Sequence, residues 1–182
     1  MAATRHGKFY DLLMSIGTCY EACEWAKGKT LREAWMTCNR ADWLLWLAIR
    51  LGIDRKKYVR ATCACTRTVL YLLPTAEDEP RLAVEAAEAW TRGKVKLSHV
   101  LRAAERAENA AASAAVSDHR GNSVHAVYCS AAHAAWSVAP DEAKGATYAV
   151  YVINTLAKAP VLAKLVRKHI PFALIEEAAN AA

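Results

Sequence analysis

Helix breakers are few in this chain, and they fall at intervals that leave helix-length segments between them. Seven glycines and five prolines punctuate 182 residues, while alanine fills about a fifth of the positions. Between the breakers apolar residues recur at three- and four-residue spacing, and no segment shows the alternation of a half-buried strand. Alanine adds little apolar area but lets helix axes approach to the short end of the usual ~8–10 Å. With 54% apolar content the chain is long enough for one sizeable core. The expected fold is therefore all-α: a compact multi-helix bundle, or a stack of antiparallel helical hairpins, of about eight helices. It is read as a single domain over 1–182, with a hinge loop near 74–80 between a Trp-rich basic half and an Ala-rich half.

The spacing predicts a first amphipathic helix from Arg5 to about Lys27, with Phe9, Leu12, Leu13, Ile16, Tyr20, Cys23 and Ala26 on one face and Gly17 weakening it. Gly28 stops it, and Thr30 with Glu33 forms a capping box for a short helix through Met36. Further helices are expected from Arg40 to Leu51, closed by Gly52, and from a cap at Asp54 to about Leu73 before Pro74. Pro80 opens another that ends near Gly93, and Ser98 caps an alanine-dominated helix to Ser117. The last helices cover about 123–138 and 140–157, followed by a pair on either side of Pro171.

The net charge of +6 is uneven. Residues 27–70 carry ten Lys/Arg against three acids, a local +7, whereas residues 71–93 carry two against five, a local −3. An acidic mimic of DNA is excluded by sign, while an acidic protein partner or a nucleic-acid backbone stays open. The six cysteines follow no secretory leader, since the first 26 residues mix charge with apolar positions. Reduced, mostly buried thiols in a cytoplasmic protein are expected. No apolar run approaches the ~18 residues that span a membrane.

The chemistry-bearing clusters read mostly as packing. His125, Cys129 and His133 share a helix face, but the three extend about 12 Å along the axis, too far for one tetrahedral ion. Cys63 and Cys65 face different directions, and Cys19 with Cys23 suits a core; no metal site and no cofactor is expected. There is no serine elbow, phosphate-binding glycine loop or cysteine–histidine arrangement for nucleophilic catalysis, and Glu85 with Glu88 reads as a solvated face, so an enzyme is not expected. Arg55, Lys56, Lys57 and Arg60 place cations at a helix N-terminus, against the macrodipole, which marks them as a candidate basic binding surface within 50–67. Trp43 and Trp46 share a face with Leu47 and Arg50, Trp35 lies just upstream, and core anchoring is the favoured role. Asp42 suits the positive end of the same helix, and Arg40 is expected to pair with the 77–79 acids, fixing the hinge against the tryptophan-bearing helix.

The segment Cys38-x-Arg40-x-Asp42-Trp43-Leu-Leu-Trp46, the hinge Pro74-x-x-Glu77-Asp78-x-Pro80-Arg81, and the run holding Glu85, Trp90 and Gly93 resemble the Imm5-like immunity proteins of bacteria, which have related sequences in phages. The resemblance extends over about residues 18–157 and is distinctive over 38–93. It implies an all-helical cytoplasmic protein that binds and neutralises a toxin. The expected function is a stoichiometric inhibitor that occludes a partner protein, either a toxin or, for a phage-encoded anti-defence protein such as an anti-CRISPR, a defence-system component. Arg40, Asp42, Glu77, Asp78 and Arg81 are the polar candidates for that interface, and Arg55, Lys56, Lys57 and Arg60 the basic ones. Nucleic-acid binding through the basic surface is the alternative.

Overall fold

The computed structural model describes residues 8–73, 78–117, 122–154 and 156–181. Among these the chain is all-helical, with eleven α-helices rather than about eight: α1 (Lys8–Ser15), α2 (Tyr20–Ala26), α3 (Leu31–Thr37), α4 (Ala41–Arg50), α5 (Arg55–Arg67), α6 (Glu79–Thr91), α7 (Leu97–Ser117), α8 (Asn122–Trp136), α9 (Lys144–Ile153), α10 (Ala159–His169) and α11 (Phe172–Ala181).

The extra elements have local causes. Gly17, at φ +75°, reverses the chain after α1, with its own N–H donating to Met14 O and that of Thr18 to Leu13 O. This paired closure needs a left-handed residue and divides the expected first helix in two. Tyr20 consequently leaves the apolar stripe and stands 79% exposed. Beyond Arg67 the chain tightens to a 3₁₀ turn at Leu70–Leu72, and Pro140 opens a second such turn before α9. The Thr30–Glu33 capping box is present in full. Asp54 occupies the N-cap of α5 but makes no side-chain cap bond, and Ser98 lies inside the first turn of α7 instead of capping it. Pro74 and Glu77, in the expected hinge, lie outside the described residues.

The buried apolar residues form one contiguous cluster, centred on α5 and α8. α5 packs against α4, α6, α8, α9 and α10, which requires small side chains on several sides. Its buried positions are accordingly rich in them: Ala61, Thr62, Cys63, Cys65 and Thr66. The same logic brings α9 onto α8, where a Cβ at Gly145 would sit 2.9 Å from His133 O. All six cysteines are free. Burial pushes the Cys65 thiol up to about 12 and the Cys63 thiol upward as well.

Between α5 and α8, the fully buried hydroxyls of Thr66 and Ser130 hydrogen-bond to each other at 2.9 Å. Thr66→Val keeps the shape but strands the Ser130 hydroxyl, so it should destabilise the protein by about 1–2 kcal/mol. Thr66→Val with Ser130→Ala removes both partners and should recover most of that loss. A double-mutant cycle from urea denaturation checks this; strictly additive single effects would show that the two hydroxyls are not coupled.

Candidate binding pocket and its polar rim

The N-terminal helices enclose an overwhelmingly apolar cavity of about 180 Å³, partly open to solvent. α1 supplies Phe9 and Leu13, α2 supplies Ala22 and Trp25, α3 supplies Trp35, and α4 supplies Trp43, Trp46 and Leu47. Trp35 is 1% exposed and belongs to the core, whereas Trp25, Trp43 and Trp46 are half-buried walls. Trp25 meets Trp43 edge-on, with ring centroids 6.0 Å apart, a favoured aromatic geometry. The indole Nε1 of Trp35 and the Oγ1 of Thr18, two residues of the lining, are buried without a hydrogen-bond partner.

The polar rim forms at the α3–α4 junction. Arg40 is the N-cap residue of α4, at φ −87° and ψ 94°, and its extended backbone lets its side chain fold onto Asp42. Nε donates to Asp42 Oδ1 at 3.0 Å and Nη2 to Oδ2 at 2.7 Å, a two-pronged ion pair. The same guanidinium lies 4.6 Å from the centre of the Trp43 ring and 3.7 Å from Glu21 Oε1 on α2. Asp42 is 4% exposed and also accepts from Asn154 Nδ2 at 3.2 Å. The hydrogen bond that Arg40 donates to Asp42 raises the Arg40 pKa above its ordinary value, against the opposing effect of burial. From α10, Arg167 donates through Nε to Trp35 O at 2.7 Å and through Nη2 to Cys38 O, which closes the junction from behind.

Among the described hinge acids, neither Asp78 nor Glu79 is the partner of Arg40. Its carboxylate partners among the described residues are Asp42 and Glu21, and Asp42 is an internal acceptor instead of an interface side chain. Asp78 is exposed at the N-cap of α6. Arg81 turns inward and donates to Leu70 O at 3.3 Å. Glu77 lies outside the described residues.

The basic group is likewise dispersed. Arg55 donates to Val138 O at 3.0 Å, and Arg60 donates to Thr91 Oγ1 at 3.1 Å and Thr91 O at 2.9 Å, so both arginines join helices. Lys56 is exposed, 6.0 Å from the centre of the Trp90 ring. Lys57 lines a second, more open depression of about 430 Å³ together with Asp54 and Glu177.

The remaining clusters resolve into packing contacts. His125 Nε2 lies 3.4 Å from Cys129 Sγ, while His133 packs edge-on to Tyr148. Among the described residues no group of three or more His, Cys, Asp or Glu is placed to hold a metal ion. On the face expected to be solvated, Glu88 forms a two-pronged ion pair with Arg67, at 2.6 and 2.9 Å. No described helix is long and apolar enough to cross a membrane.

Sequence reasoning missed Trp25, Asn154 and Arg167. Trp25 sits one position from Ala26 on the expected stripe, and splitting the first helix turns it towards α4. Asn154 and Arg167 act on residues more than a hundred positions away, beyond the reach of any local pattern. No family model, curated protein or solved structure matches this chain.

Proposed function

We propose that the protein is a non-enzymatic, stoichiometric binding protein that inhibits a partner protein by covering its surface through the α1–α4 face. The observation that carries this reading is the composition of that face. Tyr20 is 79% exposed, Met14 and Met36 are each 56% exposed, and Trp25, Trp43 and Arg40, from the same group of helices, are half-buried. Tyr, Trp, Met and Arg are the residue types enriched where proteins meet, and a few such anchors carry most of the energy. The resemblance to Imm5-like immunity proteins supports the same class. Toxin immunity and phage anti-defence would use one surface in the same way, acting on a toxin or a defence-system component in the cytoplasm.

Nucleic-acid binding has weaker support. The net charge of +6 favours it, but Arg55 and Arg60 each spend hydrogen bonds on Val138 and Thr91, although Arg60 and Lys56 are both exposed. Affinity capture of the tagged protein from its host lysate, with and without nuclease, separates the two. A single protein that survives nuclease treatment and binds about 30-fold more weakly to a Tyr20→Ala, Met36→Ala variant supports the inhibitor reading. Recovery of nucleic acid, with every protein lost on digestion, overturns it.

A further inference from the structure

We propose that Met14, Cys19 and Cys23 form a three-sulfur site for a soft monovalent cation, Cu(I), at the junction of α1 and α2. The turn at Gly17 that divides the first helix brings the three together. It sets the end of α1 beside the start of α2, where the Cys23 thiol donates to Met14 Sδ at 3.7 Å. A longer contact runs from the same thiol to Thr18 O at 4.0 Å. Cys19 is the N-cap of α2, and Cys23 N donates to Cys19 O at 3.1 Å. The two cysteines therefore stand one helical turn apart on one face. Burial first, and then the charge of Cys19, raises the Cys23 thiol above its ordinary pKa, as neighbouring sulfurs do.

Spacing and donor type select the ion. Two sulfurs held at about 2.3 Å from one ion stand about 3.8–4.0 Å apart at tetrahedral or trigonal angles. The separation of Cys23 Sγ from Met14 Sδ is close to that, so an ion fits between them with little rearrangement. Two thiols and a thioether are soft donors that suit Cu(I), whereas a structural Zn(II) site takes four ligands. Among the described residues no third His, Cys, Asp or Glu joins the two cysteines, and the thioether supplies the remaining donor. Access fits as well. Cys23, 2% exposed, forms the floor, while Cys19 is exposed and Met14 is 56% exposed, so the ion is reached from solvent. Each thiol gives up its proton on binding. Cu(I) binding needs no protein partner, although Met14 also lies on the face proposed above.

The test is an anaerobic titration of Cu(I) into the full chain, with its thiols reduced, in competition with the coloured chelator bicinchoninate. The parent should hold one equivalent against the chelator. Removing a residue behind a metal ligand costs ~10–100-fold in affinity; Cys19→Ser, at an exposed position, should cost more, and Met14→Leu about tenfold. Circular dichroism confirms that both variants are folded. Copper K-edge absorption then identifies the donors, expected as three sulfurs at about 2.3 Å in the parent and two in Met14→Leu. Failure of the parent to hold copper against the chelator overturns the proposal. So does an affinity unchanged in either Cys19→Ser or Met14→Leu, which would place the ion on other donors. Nitrogen or oxygen donors in the absorption spectrum, or Zn(II) held as tightly as Cu(I), would overturn it as well.

Discussion

Arg167→Met should lower the unfolding free energy by about 3–5 kcal/mol, the largest loss expected from any single substitution argued for this protein. The reason begins with the shortness of α3. A seven-residue helix has little of its own hydrogen-bonding to rely on, and the carbonyls of its last turn need outside donors. Ala34 O is met by Cys38 N, but Trp35 O and Cys38 O receive the guanidinium of Arg167. Trp35 and Cys38 are 1% and 3% exposed, so water does not readily replace that donor. A cation at a helix C-terminus also meets the negative end of the macrodipole. Burial lowers the Arg167 pKa, yet an arginine stays charged across the physiological range. Methionine retains the apolar stem and removes the donors, isolating the polar loss from a packing loss. Lysine should restore only part of the stability, since one ammonium does not reproduce the fork that reaches two carbonyls. Urea denaturation measures both variants. A loss below about 1 kcal/mol for Arg167→Met would mean that the junction opens to water without cost.

That contact also shows why the fold class was readable in the sequence while the site was not. Helix content follows from local propensity, and each segment between breakers carried its own signal, down to the Thr30–Glu33 capping box. The number of helices depended on finer geometry. Gly17 was visible as a weak point, but whether a glycine is carried through a helix or closes it in the left-handed region is decided by the packing that follows. The basic run from Arg55 to Arg60 illustrates the limit at the surface. Four neighbouring cations look alike in sequence, yet two reach carbonyls 83 and 31 residues away, one lies beside Trp90, and one lines a depression that Asp54 and Glu177 also line. Arg40 and Asp42 were correctly singled out as polar residues at the start of a helix. Their mutual pairing was missed because residues two apart do not face each other on a helix, and Arg40 is still outside it.

Asp42→Ala is the second large effect, with an expected loss of about 2–4 kcal/mol. Asp42 is 4% exposed and accepts from three donors: Nε and Nη2 of Arg40, and Nδ2 of Asn154. Truncation leaves the Arg40 guanidinium beside an apolar wall, with only Glu21 near it, 3.7 Å away and largely exposed. A pair of that kind contributes about 0–1 kcal/mol and is screened by salt. Asn154 fares worse, since its Oδ1 is already buried without a partner and the substitution would leave its amide donor unmet as well. The loss stays below that of a fully buried ion pair because the Arg40 side chain is 36% exposed and regains some hydration. Asp42→Asn preserves the shape and one acceptor, so it should lose less. Removing the cation too, in Arg40→Leu with Asp42→Ala, should recover part of the stability, because the stranded charge is then gone. The expected order of urea midpoints is therefore parent, Asp42→Asn, then Asp42→Ala, with the double variant above Asp42→Ala. If Asp42→Ala instead lost less than about 0.5 kcal/mol, with the loss vanishing in high salt, the pair would be behaving as a solvated surface bridge. Asp42 would then belong to the interface and not to the fold, and Arg40 would be free to meet the partner's charges directly.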